Sequence, residues 1–275
     1  MTYKNGLRFS SPLDQAMISL KKRIHSKKAS MLIIDGGVGE GKTTLAVELA
    51  EYYQRKPLNY TRQYSMGGEH FQENLVKCYD SQEKVIIYDE AGDFNSRGAM
   101  TGFNKMLNRV FDTFRAFKIL IILVLPSFSV LDKPLFDKNI PRLLVHCHSR
   151  TKFGHFSAYS LYRMYYLKAK MKKYTVPSFA YNHTSPNFRG HFLDLDKEES
   201  KKLEKISMDG KKNIVNQNIL ENRGLVTYKQ IARKLGRSEI WVKKKVNKLG
   251  LKEKTIYKRH KYFDKGLVLR LKDEI

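Results

Sequence analysis

The chain is poor in cysteine, acidic residues and long apolar runs, and each shortage narrows what it can be. Its two cysteines, Cys78 and Cys147, cannot build a disulfide framework in 275 residues, so a reducing compartment is expected. The longest apolar run, Ile119 to Leu125, stops at Pro126. It falls far short of the roughly 20 residues that a membrane-spanning helix needs. The first residues, Met-Thr-Tyr-Lys-Asn-Gly, contain no signal-peptide apolar core, and a cytosolic protein is the expectation. His146-Cys147-His148 resembles a metal cluster only in composition, because alternate residues of a strand face opposite sides and no second ligand pair lies at zinc spacing. A structural role is expected for these three.

The shortage of acid has a consequence of its own. With 27 Asp and Glu against 52 Lys and Arg, the chain carries a formal charge of +25. Such an excess points to a polyanionic partner, nucleic acid ahead of a membrane surface. The hydrophobic fraction of 41% suffices for a packed core, and the length suits one large domain or two.

Glycine, though not abundant overall, is concentrated where it matters. Gly36-Gly37-Val38-Gly39-Glu40-Gly41-Lys42-Thr43 is an intact G-x-x-x-x-G-K-[ST] phosphate-binding loop, with Thr44 opening the helical stretch behind it. It follows the apolar run Met31 to Ile34, and this strand–loop–helix order lets backbone N–H groups and a helix N-terminus hold phosphates. Val85 to Tyr88 then forms a second apolar strand ending in Asp89-Glu90, 47 residues after Lys42 in the case of Asp89. One element grips nucleotide phosphates; the other brings carboxylates for Mg²⁺ and for water. ATP hydrolysis with Mg²⁺ is the chemistry these two elements predict.

The remaining pattern is that of an α/β protein. Leu13, Met17, Leu20 and Ile24 predict a helix, as do 69–79 and 99–117. The periodicity predicts strands at 59–64, 84–88, 119–125, 142–148 and from 157 towards 167. Strands alternating with helices predict a mainly parallel central sheet. The ATPase domain is expected over 1–180, with a linker and connecting helix over 181–212, where Asn182, Ser185-Pro186-Asn187 and Gly190 punctuate a stretch without periodicity.

The tail is the most basic part: residues 197–275 hold 23 Lys and Arg against 10 Asp and Glu. Residues 213–275 read as a small helix-turn-helix domain. A short helix at 213–221 precedes a second at 227–235, a turn at Gly236, and a third at 239–249 with Ser238 as its N-cap. The third helix has Val242, Val246 and Leu249 on its inner face and Arg237, Lys243, Lys244, Lys245 and Lys248 outside, with Trp241 alongside. Such a helix suits a DNA major groove, and 255–257 with 267–271 suit a β-hairpin wing. The alternative is a basic three-helix bundle that contacts protein.

The first 170 residues resemble a P-loop ATPase of the additional-strand class, in which a carboxylate strand and a sensor strand lie beside the phosphate-loop strand. The order phosphate loop, Asp-Glu strand, helix, Phe114-Arg115-Ala116-Phe117 turn and apolar strand is similar to the FtsK/HerA-like group, which includes packaging, conjugative and Zot-like ATPases. That group commonly closes the strand after the Asp-Glu strand with a polar residue and then Gln; here the chain reads Val124-Leu125-Pro126-Ser127, and Ser127 stands in the sensor position. The resemblance implies a homo-oligomer, such as a hexameric ring, that moves DNA. It also implies that Lys42 contacts the β- and γ-phosphates, Thr43 and Asp89 serve Mg²⁺, and Glu90 polarises the attacking water. A trans-acting arginine is implied as well, with Arg115 the first candidate and Arg109, Arg97 and Arg150 behind it. Position alone suggests that 93–105 is a loop reporting nucleotide state to DNA through Arg97 and Lys105.

Three functions are therefore open. The leading one is an ATPase that translocates, packages or helps to replicate DNA, in preference to RNA. The second is an ATP-switched DNA-binding regulator or partition-type protein with slow turnover. The third, a small-molecule kinase, leaves the basic tail without a purpose.

Overall fold

A computed structural model describes residues 11–28, 30–89, 97–114, 117–148, 154–257 and 260–272. Glu90, Arg115 and Arg150 lie outside the described residues, as does the side chain of Arg97. The chain divides into two compact units, Met1–Ser207 and Met208–Ile275.

The first unit contains helices α1 (Ser11–His25), α2 (Lys42–Gln54), α3 (Tyr60–Gln63), α4 (Gly68–Asp80), α5 (Arg97–Phe114), α6 (Lys133–Asp137) and α7 (Leu161–Met171). Its strands are β1 (Met31–Gly36), β2 (Tyr64–Ser65), β3 (Val85–Asp89), β4 (Leu120–Val124), β5 (Pro141–His148), β6 (His155–Ser160) and β7 (Phe188–His191). They form one seven-stranded sheet in the order β2-β3-β4-β1-β5-β6-β7. The five strands from β2 to β5 are parallel, and β6 and β7 extend the sheet antiparallel. Strand β4 thus lies between the phosphate-loop strand β1 and the carboxylate strand β3, in register with both. A mostly parallel α/β sheet with a phosphate-loop sequence at the end of a central strand fits a P-loop NTPase.

Both faces of this sheet are covered, which is why its central strands are continuous apolar runs. On β1, Leu32 and Ile34 pack into a core with Leu13, Met17, Leu20 and Ile24 of α1 and Leu45, Val47 and Leu49 of α2. Met31 and Ile33 face the opposite core, built with Phe71 and Leu75 of α4, Leu107 and Phe111 of α5, and Met164 and Leu167 of α7.

The structure departs from the sequence expectations at several elements. Residues 60–63 are a helical turn, and only Tyr64–Ser65 are strand; the Gln63 side chain accepts from the Asn59 N–H at 2.8 Å and closes that turn. Strand β6 ends at Ser160, after which Met164, Leu167 and Met171 recur at helical spacing and are buried. Residues 97–105 are the first half of α5, not a loop.

Within 181–196 lies β7, a full member of the sheet. Gly190, which read as loop punctuation, sits against the Phe156 ring, where a Cβ would come within 2.4 Å of a ring carbon. Here glycine serves close packing rather than flexibility.

Helix α8 runs unbroken from Lys197 to Asn222, where a linker and a separate short helix are predicted, and crosses from the first unit into the second. The second unit continues with β8 (Leu225–Thr227), α9 (Tyr228–Leu235), α10 (Glu239–Lys248), β9 (Thr255–Tyr257), β10 (His260–Asp264) and α11 (Leu267–Lys272). The three strands form an antiparallel sheet in the order β8-β10-β9. Residues 267–271 are therefore helical; Leu267 and Leu271, four apart, both enter a core with Val226, Ile231, Val242, Val246 and Phe263. Leu249 caps α10 and is exposed rather than inward.

Candidate nucleotide-binding site

The phosphate loop takes its shape from backbone that only glycine adopts cheaply. Gly39 and Gly41 have φ of +78° and +76°, in the left-handed region. Gly36 has φ +147°, and a Cβ there would stand 2.5 Å from the Cys147 carbonyl oxygen of β5. The loop thus emerges hard against the neighbouring strand. Gly41 caps the 13-residue helix α2, whose first N–H groups and positive dipole end face the loop. The Lys42 ammonium folds back over the loop, donating to the carbonyls of Gly36 at 2.9 Å and Gly37 at 2.6 Å. Val38 stands fully exposed at the tip, whereas Glu40 Oε2 is buried without a hydrogen-bond partner among the described residues.

Thr43 and Asp89, 46 residues apart, meet directly: the threonine hydroxyl donates to Asp89 Oδ2 at 2.8 Å. The sheet order explains the meeting, since β3 and the loop end the same edge of parallel strands on either side of β4. A hydroxyl and a carboxylate are hard oxygen donors of the type Mg²⁺ selects. Together with a glycine cradle and an ammonium at its mouth, they fit a Mg²⁺-nucleotide.

Asp89 has a second donor that sequence reasoning missed. The hydroxyl of Tyr64, at the start of β2, donates to the same Oδ2 at 2.7 Å. Tyr64 is buried, and burial together with the Asp89 charge pushes its phenol far above the usual tyrosine range, so it remains a donor. The only signal in the sequence is that Tyr64 begins a strand near the carboxylate strand, and the register Tyr64 to Ile87 is not legible without the sheet.

Asp35 was missed as well. It is the penultimate residue of β1 and is 1% exposed. Its Oδ1 lies 2.9 Å from His146 Nδ1, and its Oδ2 accepts from the Phe128 N–H at 2.9 Å and the Tyr181 hydroxyl at 2.5 Å. The Tyr181 ring stacks on His146 with centroids 3.6 Å apart. Asp35 therefore ties the base of the phosphate loop to β5 and to the turn after β4. The signal was present: a carboxylate closing an otherwise apolar strand, directly before the loop. Ser127 begins that turn, and its Oγ accepts from the Ser129 N–H at 3.3 Å as a local cap. Arg109 lies on α5 and is exposed.

In the second unit, a capping box between Thr227 and Gln230 starts α9, Gly236 ends it at φ +62°, and Ser238 caps α10. The basic residues of α10, with Arg237 just before it, separate into two groups. Arg237 and Lys245 lie over the Trp241 ring at 5.7 and 5.9 Å, with Lys244 and Lys248 exposed beside them. Lys243 points elsewhere: it pairs with Glu239 at 3.0 Å and lies over Tyr228, lining a concavity of about 410 Å³ with Lys229, Asn247, His260 and Lys261. Among the described residues, no group of His, Cys, Asp and Glu is arranged to hold a metal ion by itself. No described helix is long and apolar enough to cross a membrane.

The chain matches no protein-family model and no curated protein. Among solved structures, it is similar to PCH-2 of C. elegans at 19% identity and a TM-score of 0.32, over 53% of this chain and 45% of that one. It is also similar to a DNA replication initiation factor at 14% identity and a TM-score of 0.30, over 96% of this chain and 79% of that one. The chain spans less than half the length of the first of these.

Proposed function

We propose that this chain is a Mg²⁺-dependent ATPase of the additional-strand P-loop class that acts on DNA as a homo-oligomeric motor. The observation that carries the reading is the junction of loop and carboxylate: Lys42 over the glycine cradle and Thr43 bonded to Asp89. The placement of β4 between β1 and β3 supports the class, because it sets Asp89 one strand beyond the sensor strand. In this reading Lys42 binds the β- and γ-phosphates, and Thr43 and Asp89 hold the metal. Mg²⁺, when bound there, neutralises charge on the phosphate oxygens and so lowers the barrier to phosphoryl transfer. Glu90 orients and polarises the attacking water, Ser127 senses the γ-phosphate, and Arg115 reaches a neighbouring subunit's nucleotide. The FtsK/HerA-like resemblance and the ring belong to this proposal.

The second unit supplies the DNA contact. Helices α9 and α10, the tight turn at Gly236 and the β9–β10 pair form a winged helix-turn-helix, with Arg237, Trp241, Lys244, Lys245 and Lys248 facing the duplex. The same module supports the second reading, an ATP-switched DNA-binding regulator, because a capped helix-turn-helix suits site binding as well as grip.

ATP turnover with and without duplex DNA decides between them. Strong stimulation by DNA, lost in Glu90→Gln, is expected of the motor. Negligible turnover beside tight ATP-dependent DNA binding would replace it with the switch. Absence of both would remove the ATPase reading altogether.

A further inference from the structure

The polar contacts of the carboxylate strand do not end at Asp89. Its Oδ2 accepts from Thr43 on one side and from the Tyr64 hydroxyl on the other. The side chain of Ser207, on α8, approaches the Tyr64 oxygen. One turn before it on α8, Leu203 is buried in the core shared by α1 and α2. Two turns before it, Glu199 faces the Tyr60 hydroxyl at 3.4 Å, and the Tyr60 and Tyr64 rings meet edge to face. The beginning of α8 is thus seated on the nucleotide unit through an apolar contact and two tyrosines. One of those tyrosines touches the carboxylate that faces the phosphate loop.

A side chain serving only to fill the core would be as good as phenylalanine, and burying the hydroxyl costs free energy unless it is paired. Here the hydroxyl is paired with Asp89, and Ser207 of α8 lies beside it. Thr43 and Tyr64 share one acceptor oxygen. Any ligand that draws Thr43 and Asp89 towards itself alters the geometry of the Tyr64 bond, and with it the approach of Ser207. The helix that receives this change continues to Asn222, into the basic unit.

We propose that Tyr64 is a positioning residue that fixes the Asp89 carboxylate for Mg²⁺ and, through Ser207, reports occupancy of the nucleotide site to helix α8. The proposal rests on the nucleotide reading above and adds to it a residue and a route. Tyr64 donates only to Asp89, so its loss acts on the metal and not on the phosphate loop. Removal of a partner that orients a metal ligand costs about 10-fold or more in metal affinity.

The test uses the full chain with a fluorescent non-hydrolysable ATP analogue, titrated with Mg²⁺, and amide exchange across 199–207 read with and without Mg²⁺ and analogue. Tyr64→Phe is expected to raise the Mg²⁺ midpoint about 10-fold and to leave metal-free analogue affinity within about twofold. In the unsubstituted protein, Mg²⁺ with analogue is expected to change exchange at 203–207, and both Tyr64→Phe and Ser207→Ala are expected to lose that response. Ser207→Ala leaves the Tyr64–Asp89 bond in place, so it separates the route from the metal effect even if Tyr64→Phe folds poorly. An unchanged midpoint in Tyr64→Phe, or an α8 response equal to that of the parent in both variants, overturns the role while the nucleotide reading stands. A parent protein that binds no analogue at all overturns both.

Discussion

At the scale of the residue, the site depends on a few atoms whose replacement has separable effects. Lys42→Ala removes charge-assisted bonds to phosphate worth about 3 kcal/mol, so ATP affinity is expected to fall about 100-fold with no loss of thermal stability. Gly36→Ala acts in the opposite way. It places a Cβ 2.5 Å from a backbone oxygen at a φ of +147°, and either the loop or β5 must move. A loss of about 2 kcal/mol is expected in chemical denaturation, together with weakened nucleotide binding.

Glu48 carries a pH dependence. It lies on α2, is 4% exposed, and neither carboxyl oxygen has a hydrogen-bond partner among the described residues. Burial first, then the charges of Glu199, Glu51 and Asp194, raise its pKa from 4.5 to about 8. Between those values the folded state holds a proton that the unfolded state has released, so this group's contribution to stability declines as pH rises through that window. Glu48→Gln keeps the shape, removes the charge and offers N–H donors to the neighbouring carboxylates. Thermal melts are expected to show the variant gaining on the parent from pH 5 to 9, by at least about 2 °C at the upper end. Equal pH profiles would show that Glu48 does not ionise against its surroundings.

At the scale of the element, the site was legible where local rules act and illegible where tertiary placement decides. The loop could be read because its glycine pattern states its own backbone requirements, and β3 because an apolar strand ending in carboxylates has few other uses. Asp35 and Tyr64 could not be placed, since their roles come from which strands are neighbours. Strand β7 was masked by Pro186 and Gly190, residues that usually punctuate loops; here Gly190 makes room for Phe156. Helix α8 reads as two pieces in the sequence because it is weakly amphipathic and contains Gly210, whereas its seat through Leu203 comes from packing. Gly190→Val is accordingly expected to cost about 1–3 kcal/mol in the first unit, as overpacking does. A substitution tolerated without loss would mean that the β6–β7 pairing is looser than the register implies.

At the scale of the molecule, charge and architecture divide the labour. The uneven charge, 23 basic against 10 acidic residues over 197–275, was readable from composition, as was the capped helix pair around Gly236. What composition could not show is that Lys243 turns to Tyr228 and Glu239, away from the face of Trp241. Lys244→Ala and Lys248→Ala together are therefore expected to weaken DNA binding and to reduce its salt slope by about 2, whereas Lys243→Ala leaves the slope within about 0.5. Fluorescence anisotropy across a salt series reads this directly. Equal losses from both substitutions would join the two groups into one surface.

The most direct test of the whole account is calorimetric titration of ATP into the protein, with and without Mg²⁺, beside Lys42→Ala. The account predicts one nucleotide per chain, tighter with Mg²⁺, and an affinity about 100-fold lower in the variant. No binding by the parent protein, or binding indifferent to both Mg²⁺ and Lys42, would contradict it.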